Sequence, residues 1–357
     1  MTQPDLVVIG EAALDVLVDC PRPVAWGQAE TVVPDARLVL GSSGAITAAA
    51  AARLGVATAF VGVVGDDHAG DIFVADLGAT GVDVSGVRRV AGARTGMTVV
   101  LQDRGERALL TFPGTMADLV AGAVGRAYLD ARHVHVSSYF LQTGLHAGLG
   151  ALLAAASAHG ATTSIDPGWD PGGTWDHGLL GLLGHVDWLL PNGTEAAHIA
   201  AAAGAPPAVA DDAEARLDVL APGGRGAAVK LGAAGAVLRH AGRTVRLGTD
   251  AVEPVDTTGA GDNFDAGFIA GLLSGADPAD ALVAAMACGR IALGGRGGTG
   301  QMATRDAALA AGARWGPRRP AAPDTGTGTG TGTGDAVTRC ATDGRPSDAP
   351  NPQGDPP

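Results

Sequence analysis

Short apolar runs alternate with Ala-rich stretches along most of this chain, the pattern of strands and helices in turn. Leu6 to Ile9 is unbroken by polar residues and closed by Gly10, which predicts a strand buried on both faces. Strand-like pieces follow at Leu14 to Val18 and Arg37 to Leu40, separated by Pro, Gly and polar residues. Gly41-Ser42-Ser43-Gly44 then turns into an alanine-rich helix ending near Gly55, and Phe60 to Val64 predicts the next strand. Gly96 to Leu101 and Ala108 to Phe112 are β-rich runs around Asp103-Arg104-Gly105-Glu106, a hairpin signal. From His133 the alternation is regular, with strands at His133 to Val136, Thr162 to Ile165, Val186 to Leu190 and Ala227 to Leu231. Helices are predicted over Leu145 to His159 and from Asp277-Pro278 to about Leu293. Repeated strand–helix units predict an α/β fold with a mostly parallel sheet covered on both faces. The strands near Leu14 and Leu38 and the hairpin either extend that sheet at an edge or build a small separate sheet. The second arrangement would place a lid over the strand ends.

Composition adds limits. Hydrophobic residues make up 46% of the chain but aromatics only 4%, so the core must be packed with Ala, Val and Leu. A formal net charge of −13 disfavours nucleic acid or an anionic membrane as a partner. Cys20, Cys288 and Cys340 are too scattered for a disulfide framework or a zinc site. A reduced cytoplasm is the compartment expected from so few cysteines, and no signal peptide is expected, since Asp5, Glu11, Asp15 and Asp19 interrupt the first apolar run and no basic segment precedes it. Ala45 to Gly65 is divided by Arg53 and Gly55 and predicts a buried helix and strand, with no membrane span. Beyond Trp315 the apolar periodicity stops. Residues 1–316 are therefore read as one domain, with lid strands from about 12–40 and 94–113, and 317–357 as a disordered Thr/Gly/Pro-rich tail.

The chemistry concentrates at D-T-T-G-A-G-D-N-F-D-A-G-F, Asp256 to Phe268. Gly259, Ala260 and Gly261 form a compact turn, and a helix opens at Asp262. Small residues let backbone N–H groups approach an anion, and the helix N-terminus adds partial positive charge. A carboxylate beside such a cradle can take a proton, which suits phosphoryl transfer from a nucleotide to an alcohol. A Gly-rich loop capped by Asp262 explains the same residues without chemistry. Asp15 lies just past the end of the first strand, where ligands bind in open α/β sheets, though its local sequence reads slightly better as a solvated loop acid. Gly41, Ser42, Ser43 and Gly44 offer hydroxyls and backbone N–H groups at a second strand–turn–helix junction. Asn192 and Glu195 suit Mg²⁺, directly or through water, or equally a capping box. Lys230 ends a strand, near a phosphate or merely solvated. His133 and His135 share a strand face with no third ligand in view and are expected to be structural. G-G-R-G-G-T-G, Gly294 to Gly300, predicts a mobile loop; following a helix, it fits a dinucleotide fingerprint poorly.

Several of these stretches together resemble the ribokinase-like PfkB family of carbohydrate kinases over roughly Leu6 to Leu309. D-T-T-G-A-G-D-N-F-D-A-G-F is similar to that family's C-terminal signature, G-S-S-G-A-I-T-A-A-A-A-A-R-L-G to its N-terminal one, P-N-G-T-E carries its N-x-x-E, and V-K-L-G-A-A-G resembles its nucleotide-site strand and turn. The resemblance implies a three-layer α/β/α fold with a small β-sheet lid. It also implies transfer of the γ-phosphoryl group of ATP, with Mg²⁺, to a hydroxyl of a sugar or sugar-like substrate. By the same resemblance Asp262 is the general base, and Gly259, Ala260 and Gly261 form the anion hole. Asn192 and Glu195 organise Mg²⁺; Lys230, Gly232 and Gly235 lie near the nucleotide; Asp15 with Gly41, Ser42, Ser43 and Gly44 faces the sugar. Asp256 and Thr258 match positions beside a monovalent cation such as K⁺. Lid strands often pair between subunits in this family, which implies a homodimer through the lid.

Two departures bear on the substrate. The first signature usually reads G-G-x-G-A-N, so Ile46 stands where an amide often binds the sugar, and Ala13 where ribokinases tend to carry Asn. Both losses argue against ribose itself. A nucleoside kinase of the same fold and a non-catalytic sugar- or nucleotide-binding regulator are the competing readings.

Overall fold

A computed structural model describes residues 3–20, 24, 26–103 and 106–312. All of them lie in one compact unit, Met1–Pro317. The expected disordered tail and Cys340 lie outside the described residues. Among the described residues thirteen strands form two sheets. The larger is built from β1 (Leu6–Ile9), β4 (Thr58–Gly65), β5 (Asp83–Val90), β8 (His133–Val136), β9 (Thr162–Ile165), β10 (Trp188–Leu189), β11 (Gly226–Lys230), β12 (Ala236–His240) and β13 (Arg243–Leu247). Its order is β13-β12-β11-β10-β9-β8-β1-β4-β5. Pairing is parallel from β11 through β5, and β12 and β13 close one edge as antiparallel additions.

β1 shows why the central strands read so clearly. Val7 and Ile9 join one apolar cluster with Val134, Val136, Leu149 and Leu153, whereas Leu6 and Val8 join another with Phe60, Ala48, Ala49 and Ile269. Helices His146–Ala158 and Gly193–Ala202 cover the first face, and Ser43–Arg53 and Ala260–Leu273 the second. The chain departs from β1 in both directions, to β4 on one side and β8 on the other, so β1 is the sheet's switch point and its carboxyl end opens a crevice.

β2 (Ala13–Asp19), β3 (Ala36–Leu40), β6 (Gly96–Asp103) and β7 (Glu106–Phe112) form the separate second sheet, in the order β3-β2-β6-β7. Register places Asp15 beside Thr98 and Thr111, and Asp19 beside Gln102 and Arg107, on one face. That face lies over Gly294 to Gly300, since a Cβ on Gly297 would come within 3.2 Å of Leu17 and Val39. The loop expected to be mobile is tied down. Arg296 bonds Asp19 (2.8 Å) and Asp35 (3.3 Å), the Gly297 N–H donates to Asp256 (2.8 Å), and the Asn263 amide donates to the Gly298 carbonyl (3.0 Å).

At the switch point β1 meets the helix after β3 almost backbone to backbone. A Cβ on Gly10 would sit 2.9 Å from the Phe60 ring and 3.0 Å from the Gly44 Cα. Gly10→Ala must therefore push the strand from the turn, and a loss of about 1–3 kcal/mol is expected from such overpacking. The denaturant midpoint of the variant measures it; an unchanged midpoint contradicts the close approach.

Candidate active site

Strand ends deliver the acidic residues. Glu11 follows β1, Asp166 follows β9, Asn192 follows β10 and Lys230 ends β11, so all emerge along one edge of the sheet. The helix Ala260–Leu273 points its first turn at that edge. Gly259 is its N-cap at φ 73°, a left-handed conformation that glycine adopts without strain, and the helix starts at Ala260. Asp262 is thus inside the first turn. Its reading as the N-cap is corrected: the chain needs Gly259 there to reverse direction. By their place in the first turn the Gly261 and Asp262 N–H groups have no partner within the helix, while the Ala260 N–H donates to the Thr257 carbonyl at 3.4 Å.

Lys230 is neither isolated nor solvated. Its Nζ contacts Asp166 at 2.7 Å and Asp265 at 3.1 and 3.0 Å, and a Cβ on Gly261 would lie 3.6 Å from it. Burial opposes its charge, but Asp166 and Asp265 more than compensate and raise its pKa. Burial likewise opposes the charge of Asp166, yet Lys230 holds that carboxyl below the usual range, while Asp265, buried next to the same anion, is pushed well up. Asp265 is engaged in this pairing. Carboxylate oxygens of Asp166, Asp262 and Asp265 lie within 4.8 Å of one another. Asp166 is the member that the sequence did not single out; its signal was only a carboxylate at the end of a predicted strand.

Asp262 is buried and raised to about 6, by burial first and by Asp166 second, against the opposing charge of Lys230 and a hydrogen bond with Ser43. Thr47 donates to its backbone carbonyl at 3.3 Å, binding the two glycine-turn helices together. Asp15 is held at about 7 by burial and by Asp262, with Arg107 opposing. Asn192 and Glu195 form the capping box: the Asn192 side chain accepts from the N–H groups of Thr194 (2.9 Å) and Glu195 (3.0 Å), and Glu195 accepts from the Asn192 N–H at 2.8 Å. Glu195 is nonetheless raised to about 7, by burial and then by Asp166. The Asp256 carboxylate accepts from Thr258 and Gly297 backbone N–H groups, so it braces the turn from behind.

A cavity of about 330 Å³ opens on the other side of this turn, lined by Lys230, Gly232, Gly235, Ala260, Gly261 and Phe264 among others. The expected nucleotide-side residues are therefore brought together, next to the turn. Ser42 and Ser43 lie across from it, with Ser43 starting the helix Ser43–Arg53. Ile46 is buried against Gly298, whose Cβ would come within 2.2 Å of it, and Ala13 is buried too; neither presents a polar group. His133 and His135 are structural as expected. His133 bonds Thr162 and Ser164, and His135 bonds Ser164. Burial lowers them to about 3 and about 4, so both are neutral. Sequence reasoning missed Glu11, whose carboxylate is buried beside Ser43 and Ser138.

The carboxylates have a consequence for stability. Glu11, Asp15 and Glu195 at about 7, and Asp262 at about 6, lie above their ordinary values of 4.5 and 3.8. Between the unfolded and folded values the folded state holds more protons, so stability is greatest below about pH 4 to 5 for these groups and falls as pH rises through 7. The melting temperature of the unliganded protein is expected to decline from pH 5.5 to 8 (roughly the span of these shifts), and Glu195→Gln to flatten the slope. A melting temperature that rises through this window contradicts the arrangement.

Comparison with known proteins identifies the family. The model for "pfkB family carbohydrate kinase" matches residues 3–305. The chain is 36% identical over 310 residues to the ATP-dependent ribose-1-phosphate kinase of Halopiger xanaduensis, covering 84% of this chain and 95% of that protein. Among solved structures it is similar to the ribokinase of Arabidopsis thaliana complexed with ribose and ATP, with 26% identity, a TM-score of 0.71 and coverage of 87% and 99%. It is also similar to the adenosine kinase of Sinorhizobium meliloti, with 26% identity, a TM-score of 0.70 and coverage of 83% and 96%. With a ribokinase-like fold and the family's model matched over nearly the whole described unit, the chain belongs to the pfkB family of carbohydrate kinases, phosphotransferases with an alcohol group as acceptor.

Proposed function

We propose that this chain transfers the γ-phosphoryl group of ATP to a hydroxyl of a sugar or sugar phosphate, with Asp262 as general base. The observation that carries the reading is Asp262 itself. It is a buried carboxylate at about 6, ionised at neutral pH yet basic enough to take a proton, placed between Ser43 and the Lys230-lined cavity. Asp262 accepts the hydroxyl proton as the acceptor oxygen bonds to the γ-phosphorus. The bond from that phosphorus to the β–γ bridging oxygen breaks, and ADP leaves. N–H groups of the Gly259–Ala260–Gly261 turn, with the helix dipole, stabilise the transferring oxygens. Gly232 and Gly235 admit the nucleotide, and Lys230 acts on its phosphates through its field, since its hydrogen bonds are already given to Asp166 and Asp265. Asp15 and Gly41 to Gly44 receive the acceptor.

The donor chemistry fits Mg²⁺: buried carboxylates outnumber Lys230, and Glu195 and Asp262 are raised by burial first and by the charge of Asp166 second. Asp166 and Glu195, with Asn192 bracing Glu195, would hold the ion and its waters, and the ion would neutralise charge between phosphates. A monovalent cation beside Asp256 and Thr258 remains part of the proposal.

Two observations favour an acceptor that already carries a phosphate. The 36% identical relative bears the name of a ribose-1-phosphate kinase. Arg107 stands on the cleft-facing side of the second sheet, in the row of Gln102 and Asp19, and its charge reaches both Asp15 and Asp262. The sheet is the lid in this reading, excluding water when it closes. Similarity to an adenosine kinase keeps nucleosides as the second reading.

ADP release across ribose-1-phosphate, ribose, fructose, 2-keto-3-deoxygluconate and nucleosides tests the function, with ribose-1-phosphate expected to lead; no release on any of them rejects it. Asp262→Asn should keep ATP affinity and lose about 10²–10⁴-fold in turnover. Near wild-type turnover in that variant would sink the assignment of the base. The outer face of the lid leaves Leu38, Leu110 and Phe112 exposed, and a second copy of this chain would cover them. Light scattering should give the dimer mass, and Leu110→Lys should give the monomer.

A further inference from the structure

Glu11 makes contacts that the kinase reading leaves unexplained. It follows Gly10 at the end of β1 and is 4% exposed. One carboxylate oxygen, Oε1, accepts from the Ser43 N–H at 3.0 Å and from the Ser138 hydroxyl at 3.0 Å, and the Ser42 hydroxyl donates to the Glu11 backbone carbonyl. The other oxygen, Oε2, is buried and has no hydrogen-bond partner. A buried polar atom without a partner is costly, which leaves Oε2 as unfilled hydrogen-bonding capacity.

The backbone around it is under strain on both sides. Ser42 has φ 72° and Ser138 φ 46°, left-handed values that side chains disfavour and that concentrate at functional sites. Both serines hydrogen-bond to Glu11. Two further atoms at the same strand ends are buried without partners, the Ser137 hydroxyl and Gln142 Oε1, and Gln142 donates to the carbonyls of Ser137 and Ile9. Ser137 also lies against Gly44, 3.4 Å from where a Cβ would be. Unfilled polar capacity is thus gathered at one corner, on the acceptor side of Asp262. Across that corner Ala13 and Ile46 offer nothing polar.

We propose that Glu11 is an acceptor-binding residue, its Oε2 receiving a hydrogen bond from a sugar hydroxyl other than the one phosphorylated. Polar selection lost at Ala13 and Ile46 is then supplied from the β1–β8 side. The proposal rests on the kinase reading for its substrate class, and its test separates the two.

Wild-type protein and Glu11→Gln are to be compared on ribose-1-phosphate and ribose and on their 2-deoxy and 3-deoxy counterparts, by ADP release and by calorimetric binding without ATP. The expected result is an acceptor KM raised about 10–100-fold in Glu11→Gln, as for a hydrogen bond to a charged group, with the KM for ATP unchanged. One deoxy acceptor should lose the same factor in wild type and nothing more in Glu11→Gln. Ser138→Ala, which removes a tether of Oε1 but leaves Oε2, should keep that hydroxyl dependence, and it serves if Glu11→Gln does not fold. An unchanged acceptor KM, or equal losses on every acceptor with no such coupling, overturns the proposal and makes Glu11 structural. Coupling seen in calorimetry without ADP release supports Glu11 while rejecting the kinase reading.

Discussion

One buried ammonium holds this site together. Lys230 bonds Asp166 and Asp265, and so ties the end of β9, the end of β11 and the helix Ala260–Leu273 into one unit beneath the turn. Without it, Asp166, Asp262, Asp265 and Glu195 would be buried carboxylates in mutual repulsion, an arrangement no fold sustains without a partner or a proton. With it, charge is uneven by design of the contacts: Asp166 is held ionised, while Asp262 and Glu195 stay above their ordinary range. Basicity at Asp262 is therefore a property of the whole cluster. Burial raises it first and the charge of Asp166 second, against the opposing charge of Lys230.

The same logic reaches the lid. Asn263 donates to the carbonyls of Gly259 and Gly298, and Asp256 receives the Gly297 N–H. Arg296, next in that loop, bonds Asp19 and Asp35 from the second sheet. The turn that would meet phosphate and the strands above the cleft are thus joined through seven residues rich in glycine. Their lack of side chains allows the close approaches, as at Gly298 against Ile46.

How much of this was legible in the sequence follows from distance along the chain. The central strands and the two glycine turns are local patterns, and they were read with errors of a residue or two; Ala260–Leu273 was shifted because N-cap preference pointed to Asp262 when the turn geometry required Gly259. β5 and β13 carry exposed polar and charged positions at the sheet edges, and their sequences lack the apolar run that marks an interior strand. The Lys230 pairings span 64 and 35 residues, and no local pattern announces them. Asn192 and Glu195 were legible as two alternatives, and the structure shows the cap while leaving Glu195 its raised pKa. Glu11 was invisible for a different reason. Its significance lies in a partner it does not have, which only a packed neighbourhood reveals.

Division of labour follows from where these residues sit. Contacts suited to the donor come from 230–235 and the turn at 259–261, which also hold the cluster together, so a change there disturbs fold and chemistry at once. Contacts suited to the acceptor come from the ends of β1 and β8, the 41–44 turn and the lid, where Ala13, Ile46 and Arg107 make few polar commitments to the rest of the chain. Asp262 belongs to both sides. On the proposed reading, a chain built this way can exchange one acceptor for another by changing side chains such as Ala13, Ile46 and Glu11, while the lysine-centred cluster keeps Asp262 and the turn in place. The acceptor side nevertheless reaches Asp262, through the Ser43 hydrogen bond and the charge of Arg107, so exchange there is easiest at Ala13 and Ile46, whose side chains carry no polar group to disturb the cluster.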